Sequence, residues 1–388
     1  MRLILCALCV LCGVQAAAQE PAAPERVPPA QLQAAIDKLG DLDYATRTAA
    51  SRTIRRTPAA QAVPALLRAV EEHADGYVRY RALVLLTGFD DPRTADAMRE
   101  SLTSPNDRLR TVAYGFFEHH PDPRMIPSLL AALGKEEAEF VRPALVRALA
   151  AEGSDPRVQQ VLLRDVNRGQ DFFRSVVIEA LGDYKAAYAV AAVAAVAKLD
   201  GPLAEDAALA LGRIGDKRAL ATLAGLQRSA PRTAQPAVAA AICLLDVNCD
   251  SHENYLVETL GFADKNPGFQ ELLRGAANGL GALGVAGHTE AVGTLFDLGI
   301  PSRDPTRAPV ALALATVALR NTPLMLSVLE KRPDRAPAIE LLGEGFDMLE
   351  EDLEKERFFA AVRHAYWSAP AGSPTRDLMQ DLIGKLDF

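Results

Sequence analysis

An arginine recurs through the first half of this chain at Arg47, Arg79, Arg110, Arg142 and Arg174, at spacings of 32, 31, 32 and 32 residues. Apolar or small residues follow each one at offsets of three, six and seven. Arg79 precedes Ala82, Leu85 and Leu86, Arg110 precedes Ala113, Phe116 and Phe117, and Arg142 precedes Leu145, Ala148 and Leu149. Those offsets share one face of an α-helix. The phase continues at Arg274, Arg307, Arg335 and Arg376, and Ala204 and Pro236 hold the same position in the intervening stretch. About eleven units therefore fill residues 29–388. A unit this short cannot bury its apolar face alone, so its neighbours must cover it. The chain is expected to be all-α, an α-α superhelix rather than a set of separate globules.

Each unit reads as two helices. Asp43, Asp75 and Asn106 stand four residues ahead of their arginines, where a side-chain oxygen can cap the second helix. The first helix is expected to open with proline, as in Val63-Pro64-Ala65-Leu66-Leu67 and Ile126-Pro127-Ser128-Leu129-Leu130, because the first turn does not need proline's missing N–H. Units join through Asp91-Pro92-Arg93, Asp122-Pro123-Arg124, Asp155-Pro156-Arg157 and the variant Asp216-Lys217-Arg218. With 49% hydrophobic and 24% charged residues the chain can build a core. Its net charge of −8 argues against a general nucleic-acid binder.

These helix and turn motifs resemble HEAT repeats, in particular the HEAT-like class named after phycobilisome lyases. The resemblance covers residues 29–388, regular over 29–218 and degenerate over 219–388. It implies a right-handed superhelix of helix pairs with the second helices on the concave face. It also implies that the arginine ladder ties structure together, with Asp75, Asp107, Asp171 and Asp304 as nearby acids. Nothing in the chain carries bilin lyase activity.

Residues 1–18 read as a signal peptide: Arg2, an apolar run from Leu3 to Val14, then Ala16-Ala17-Ala18 for cleavage before Gln19. A lipid anchor is the competing reading, since Cys6, Cys9 and Cys12 fall in that run. Residues 19–28, rich in proline and alanine, read as a flexible lead-in. The protein is accordingly expected to be periplasmic or secreted. Cys243 and Cys249 would remain in the mature chain, and so close a pair in an exported protein points to a disulfide. No later stretch has the length and apolarity of a membrane span.

Three further motifs carry no chemistry of their own. Gly279-Leu280-Gly281-Ala282-Leu283-Gly284 matches a dinucleotide fingerprint in spacing, but follows a helix instead of a strand; with Gly212 and Gly215 these glycines are expected to end helices. Asp246-Val247-Asn248-Cys249-Asp250 lacks the glycine and final acid of a calcium loop. His119-His120 falls in a turn, and His73, His252, His288 and His364 are scattered singly, so no metal site is expected. No nucleophile elbow or Ser-His-Asp set is present, and no cofactor is implied.

The expected function is that of a non-catalytic interaction scaffold, with a protein or peptide partner, acidic in character, on the concave face. Arg52, Arg56, Tyr80 and Arg147 are the candidate binding residues, because basic and aromatic side chains anchor interfaces. The alternative is a lyase-like or envelope-processing enzyme, or an accessory to one, with an unrecognised site.

Overall fold

In the computed structural model, which describes residues 26–199, 201–386 and 388, the repeating units become eleven helix pairs, and every regular element among the described residues is helical. The pairs are α1 (Pro29–Asp37) with α2 (Tyr44–Arg55), α3 (Ala59–Glu72) with α4 (Gly76–Leu86), α5 (Arg93–Ser101) with α6 (Asp107–His119), and α7 (Ile126–Leu133) with α8 (Arg142–Ala151). Next come α9 (Pro156–Asp165) with α10 (Asp171–Asp183), α11 (Val190–Ala197) with α12 (Leu203–Ile214), and α13 (Leu220–Ser229) with α14 (Gln235–Cys243). The last four are α15 (Cys249–Lys265) with α16 (Gln270–Ala286), α17 (Thr289–Gly299) with α18 (Arg307–Arg320), α19 (Thr322–Lys331) with α20 (Arg335–Met348), and α21 (Asp352–Ser368) with α22 (Pro374–Lys385). The signal-peptide segment and the lead-in through residue 25 lie outside the described residues. The end of that lead-in, expected to be flexible, is pinned: Val27 N–H donates to Gln61 Oε1 at 3.2 Å, and the Gln61 amide donates back to the Val27 carbonyl.

Local signals set the helix starts. Asp43, Asp75 and Asn106 accept from the backbone N–H groups of Thr46, Tyr77 and Arg108 at 2.7, 2.8 and 3.0 Å, satisfying donors that the first turn leaves open. In each Asp-x-Arg turn the aspartate accepts from the backbone N–H two residues on and pairs with that residue's guanidinium, at 2.9 Å for Asp91–Arg93 and 2.8 Å for Asp155–Arg157. The hydrogen bond from the arginine holds both carboxyls down at about 2. Pro64 departs from expectation. It lies inside α3, because Ala59–Val63 already form the helix's first turn behind Pro58.

The arginine ladder works mainly within units. Most of these guanidiniums reach back to carbonyls at or just beyond the end of the preceding first helix, Arg142 excepted. Arg79 donates to Val70 O at 2.6 Å, Arg110 to Ser104 O at 2.8 Å, Arg174 to Val166 O at 3.0 Å, and Arg307 to Gly299 O and Ile300 O, both at 3.0 Å. Asp107 and Asp171 pair with Arg110 and Arg174 as expected. Asp75 and Asp304 instead cap backbone N–H groups. Links between units are fewer: Arg110 also pairs with Glu136 at 2.8 Å, and Arg307 with Glu344 at 2.6 Å.

The second helices pack each on the next, from α4 to α20, far more closely than the first helices do. They therefore form the inner layer, where a curved double layer brings neighbours closest. Glycine on this layer permits direct backbone approach. A Cβ at Gly212 would stand 2.4 Å from Ala241 Cα. Gly279, Gly281 and Gly284 likewise lie inside α16 against Leu256, Ala313 and Val317, so they do not end the helix; Gly287, at φ +115°, does. Gly215, at φ +79°, ends α12 as the sequence suggested.

The last pair breaks the pattern. Its first helix, α21, lies inside the curve against α4, α6 and α18, and α22 packs outside on α19 and α20. The superhelix thus closes on itself through α21. We expect Gly212→Ala to destabilise the chain by about 1–3 kcal/mol in urea unfolding, through overpacking. Gly225→Ala, which meets nothing within 4 Å, should be neutral or stabilising by about 0.5–1 kcal/mol.

Candidate functional site

The concave face of the N-terminal units is occupied by the chain's own carboxylates. Glu356 on α21, with its side chain 1% exposed, takes Arg55 at 2.6 Å and Arg363 at 3.2 Å. Asp352 takes Arg81 at 2.6 Å and the Tyr80 hydroxyl. Glu354 lies 2.5 Å from His119 Nε2 and 2.6 Å from Arg357. Arg363 also donates to Gly88 O at 3.5 Å, and Leu353 packs over Gly115. Behind this row Glu118, at the end of α6, accepts from Arg147 at 2.8 Å, from Tyr184 Oη at 2.9 Å and from Arg320 of α18 at 3.5 Å. Arg147 also reaches Asp183 at 2.8 Å, which takes Arg213 at 3.2 Å. Each of these carboxylates meets at least two donors, as burial of charge requires of Glu118, Glu354 and Glu356.

Tyr80 and Arg147 therefore sit on the inner layer, but they are not open for a partner. Their binding groups are spent on Asp352, Glu118 and Asp183. Arg52 is half-buried within α2 and Arg56 is that helix's half-buried C-cap. Their neighbour Arg55, which the repeat pattern does not single out, is the residue of α2 that reaches Glu356. The sequence does carry a signal for this: the acidic run Glu350-Glu351-Asp352-Leu353-Glu354-Lys355-Glu356 faces an arginine-rich N-terminal third.

Burial raises the Glu354 carboxyl, but the hydrogen bond and charge of His119 and the charge of Arg357 outweigh it, leaving the group at about 2. Asp352 is lowered likewise: burial opposes, and Arg81 and the Tyr80 hydroxyl prevail. Burial, then the Asp352 charge, pushes the Tyr80 phenol up. Glu118, His119 and Glu354 converge closely enough to share an ion, yet Arg147, Arg320 and Arg357 already neutralise the two acids. This arrangement suits a structural lock.

A second feature lies on one edge of the solenoid. Tyr44 opens α2, Tyr77 and Phe172 are the second residues of α4 and α10, and Phe140 stands two residues before α8. Tyr44, Phe140 and Phe172 are 67%, 59% and 61% exposed. Arg108, exposed at the matching place on α6, lies over Tyr77 at 5.5 Å. Stacked inner helices bring these starts into one row. Where the row reaches units four and five, Arg142, Arg164, Arg168, Phe172, Phe173 and Glu137 are among the residues lining an open cleft of about 500 Å³. Arg142 lies 4.0 Å over the Phe173 ring there.

Cys243 and Cys249 are bonded between the end of α14 and the start of α15, with Cα atoms 4.1 Å apart. The tight turn between them runs through Asp246 and Asn248, and Cys249 and Asp250 already open α15. Among the described residues no single helix is long and apolar enough to cross a membrane.

Residues 32–116 match the family model for HEAT repeats. Those units are HEAT repeats. The match does not distinguish the phycobilisome-lyase class within them. The remaining helix pairs continue the same stacking of second helices up to the inversion at α21. No curated protein matches the sequence. Among solved structures the chain is similar to Kap95p, in a study of its binding to RanGDP, at 13% identity and a TM-score of 0.37, covering 91% of this chain and 56% of that one. It is similar to importin beta at 14% identity and a TM-score of 0.29, covering 92% and 52%. A structure concerning cadherin and beta-catenin gives 9% identity and a TM-score of 0.32, covering 92% and 94%. The chain thus spans about half the length of Kap95p and importin beta.

The lock yields a prediction with a definite sign. Glu354 titrates below its unfolded value, so its contribution is complete above the ordinary value of 4.5 and is lost as pH falls toward about 2. Urea unfolding across that window should show a loss on the order of 3 kcal/mol from this group, and Glu354→Gln should remove that part of the acid dependence. Glu356→Ala, which strands Arg55 and Arg363, should cost about 3–5 kcal/mol at neutral pH.

Proposed function

We propose that the protein is an exported, non-catalytic interaction scaffold that holds a protein partner along the edge formed by the starts of its second helices. The row of Tyr44, Tyr77, Arg108, Phe140 and Phe172 carries this reading. Aromatic and arginine side chains supply most binding energy at interfaces, and here they repeat at the unit spacing on one accessible edge. The concave face, the usual choice in a helical solenoid, supports the reading less, because α21 fills it. The N-terminal signal pattern supports export.

The partner we infer is a segment with apolar side chains and a negative charge. Arg108, Arg142 and Arg168 stand among the aromatics, and the positive ends of the second helices point the same way. Such an association weakens as salt rises. Because Phe140 and Phe172 are exposed, Phe140→Ser with Phe172→Ser should leave the melting temperature within a few degrees of wild type.

The test is a photo-crosslinking amino acid at position 172, used in the producing cell. We expect one predominant cross-linked protein, lost in the Phe140→Ser background. Cross-links unaffected by that change, or appearing equally from a position on α22, would remove this edge as the binding surface. Mass spectrometry of the native protein should show a start near Gln19; an intact Met1 would refute export by this route.

A further inference from the structure

Four side chains from three helix boundaries converge beside the cysteine bridge. Cys243 ends α14, Cys249 and Glu253 stand one turn apart on α15, and His288 immediately precedes α17. One potential ligand atom from each lies within 4.8 Å of the others. Cys249 Sγ is 3.9 Å from His288 Nδ1, and that nitrogen is 3.6 Å from Glu253 Oε2. A tetrahedral zinc ion, with bonds of about 2.3 Å to sulfur and 2.0–2.2 Å to nitrogen and oxygen, holds its ligand atoms about 3.3–3.8 Å apart. Its sulfur–nitrogen and nitrogen–oxygen edges are about 3.6 and 3.4 Å, so the two separations need to close by only about 0.3 and 0.2 Å, which side-chain rotation can supply.

The surroundings suit an ion. Cys243 is buried, whereas Cys249, Glu253 and His288 are half-buried, leaving one side open for entry. The backbone sets the imidazole in place. Gly287 turns the chain at φ +115°, a conformation that side chains resist, and His288 N–H then donates to Leu283 O at 3.0 Å. Two thiolates, an imidazole and a carboxylate form a ligand set of the zinc class.

We propose that the reduced chain binds one zinc-class divalent cation through Cys243, Cys249, Glu253 and His288, and that the disulfide is the oxidised, metal-free state of the same site. The conversion balances with a dithiol as reductant. Its thiolate attacks the more accessible Cys249 sulfur, the S–S bond breaks, and Cys243 leaves as the thiolate. The reductant's second thiol then displaces Cys249 and closes its own disulfide, so two electrons pass to the protein. The cation replaces the two protons that the free thiols would carry. The surrounding thiol–disulfide poise decides which state holds. In an oxidising compartment the bridge persists. This inference stands independently of the binding edge.

The experiment uses the full chain, reduced with a water-soluble phosphine without oxygen, and titrated with Co²⁺ and then Zn²⁺. We expect one equivalent of Co²⁺ to produce thiolate charge-transfer bands and tetrahedral ligand-field bands, and one equivalent of Zn²⁺ to abolish them. His288→Ala and Glu253→Gln should each weaken Zn²⁺ binding by at least about 10-fold, and the oxidised chain should give no bands. The proposal fails if reduced wild type binds Co²⁺ no better than Cys243→Ser/Cys249→Ser. It also fails if His288→Ala and Glu253→Gln bind as tightly as wild type. Circular dichroism is recorded throughout. Should reduction unfold the chain, Zn²⁺ must restore the helical signal, and failure to do so overturns the proposal.

Discussion

The contact on which the solenoid depends is that between a ladder guanidinium and the carbonyls ending the preceding first helix. The last carbonyls of a helix have no partner within it and carry the negative end of the helix dipole. A guanidinium, always charged and with five donors, satisfies one to three carbonyls at or just beyond that end. Because the arginine sits in the first turn of the second helix, the same contact fixes the angle between the two helices. Repeated at Arg47, Arg79, Arg110, Arg174 and Arg307, it gives each of these units the same corner. Arg142 departs from this, lying over Phe173. It is also the ladder arginine that lines the cleft.

A uniform corner propagates a curve but does not say where the curve stops. Closure comes from charge complementarity between distant parts of the sequence. The N-terminal units place Arg55, Arg81 and His119 on the inner layer, and α21 brings Glu356, Asp352 and Glu354 to meet them. Little apolar surface joins the two sides beyond Leu353 over Gly115 and Arg55 over Phe359. The closing contact is thus mainly ionic and specific. Two of its acids, Glu354 and Glu356, are buried and need their donors, so a shifted docking of α21 would strand charge.

The repeats were legible because their signals are local. A cap, an apolar face at offsets three, six and seven and an Asp-x-Arg turn all act within a few residues, and the helix pairs follow from them. Pro64 was misplaced because one extra turn ahead of it left no mark in the periodicity. Gly279 and Gly281 were misassigned because glycine serves both helix ends and close helix approach, and only the neighbours distinguish them. The site was less legible for a related reason. Helical phase reads Tyr80 and Arg147 as pointing away from the core, but Tyr80 is buried within it, and phase does not reveal what lies opposite. Asp352 is 272 residues from Tyr80. The histidine at 288 looked solitary because its neighbours, Cys249 and Glu253, are 39 and 35 residues away along the chain.

Closure also bears on how the edge can bind. An open superhelix flexes like a spring, and a partner spanning several units must pay for holding it still. In this chain the acids of α21 hold the first three units in one curvature, so the spacing of Tyr44, Tyr77 and Arg108 is set in advance for the proposed partner. Preorganisation of this kind lowers the entropic cost of association. The inner face can thus be sealed while leaving the proposed binding edge open. The arginines and acids of the concave side serve to stiffen the ring, while the starts of the same helices, on its rim, stay free to present aromatic side chains. One set of helices thus does both tasks through its two ends. Glu118, Asp183 and Tyr184, at the far ends of α6 and α10, belong to the stiffening half, and Arg108 and Phe172, at the near ends, to the presenting half.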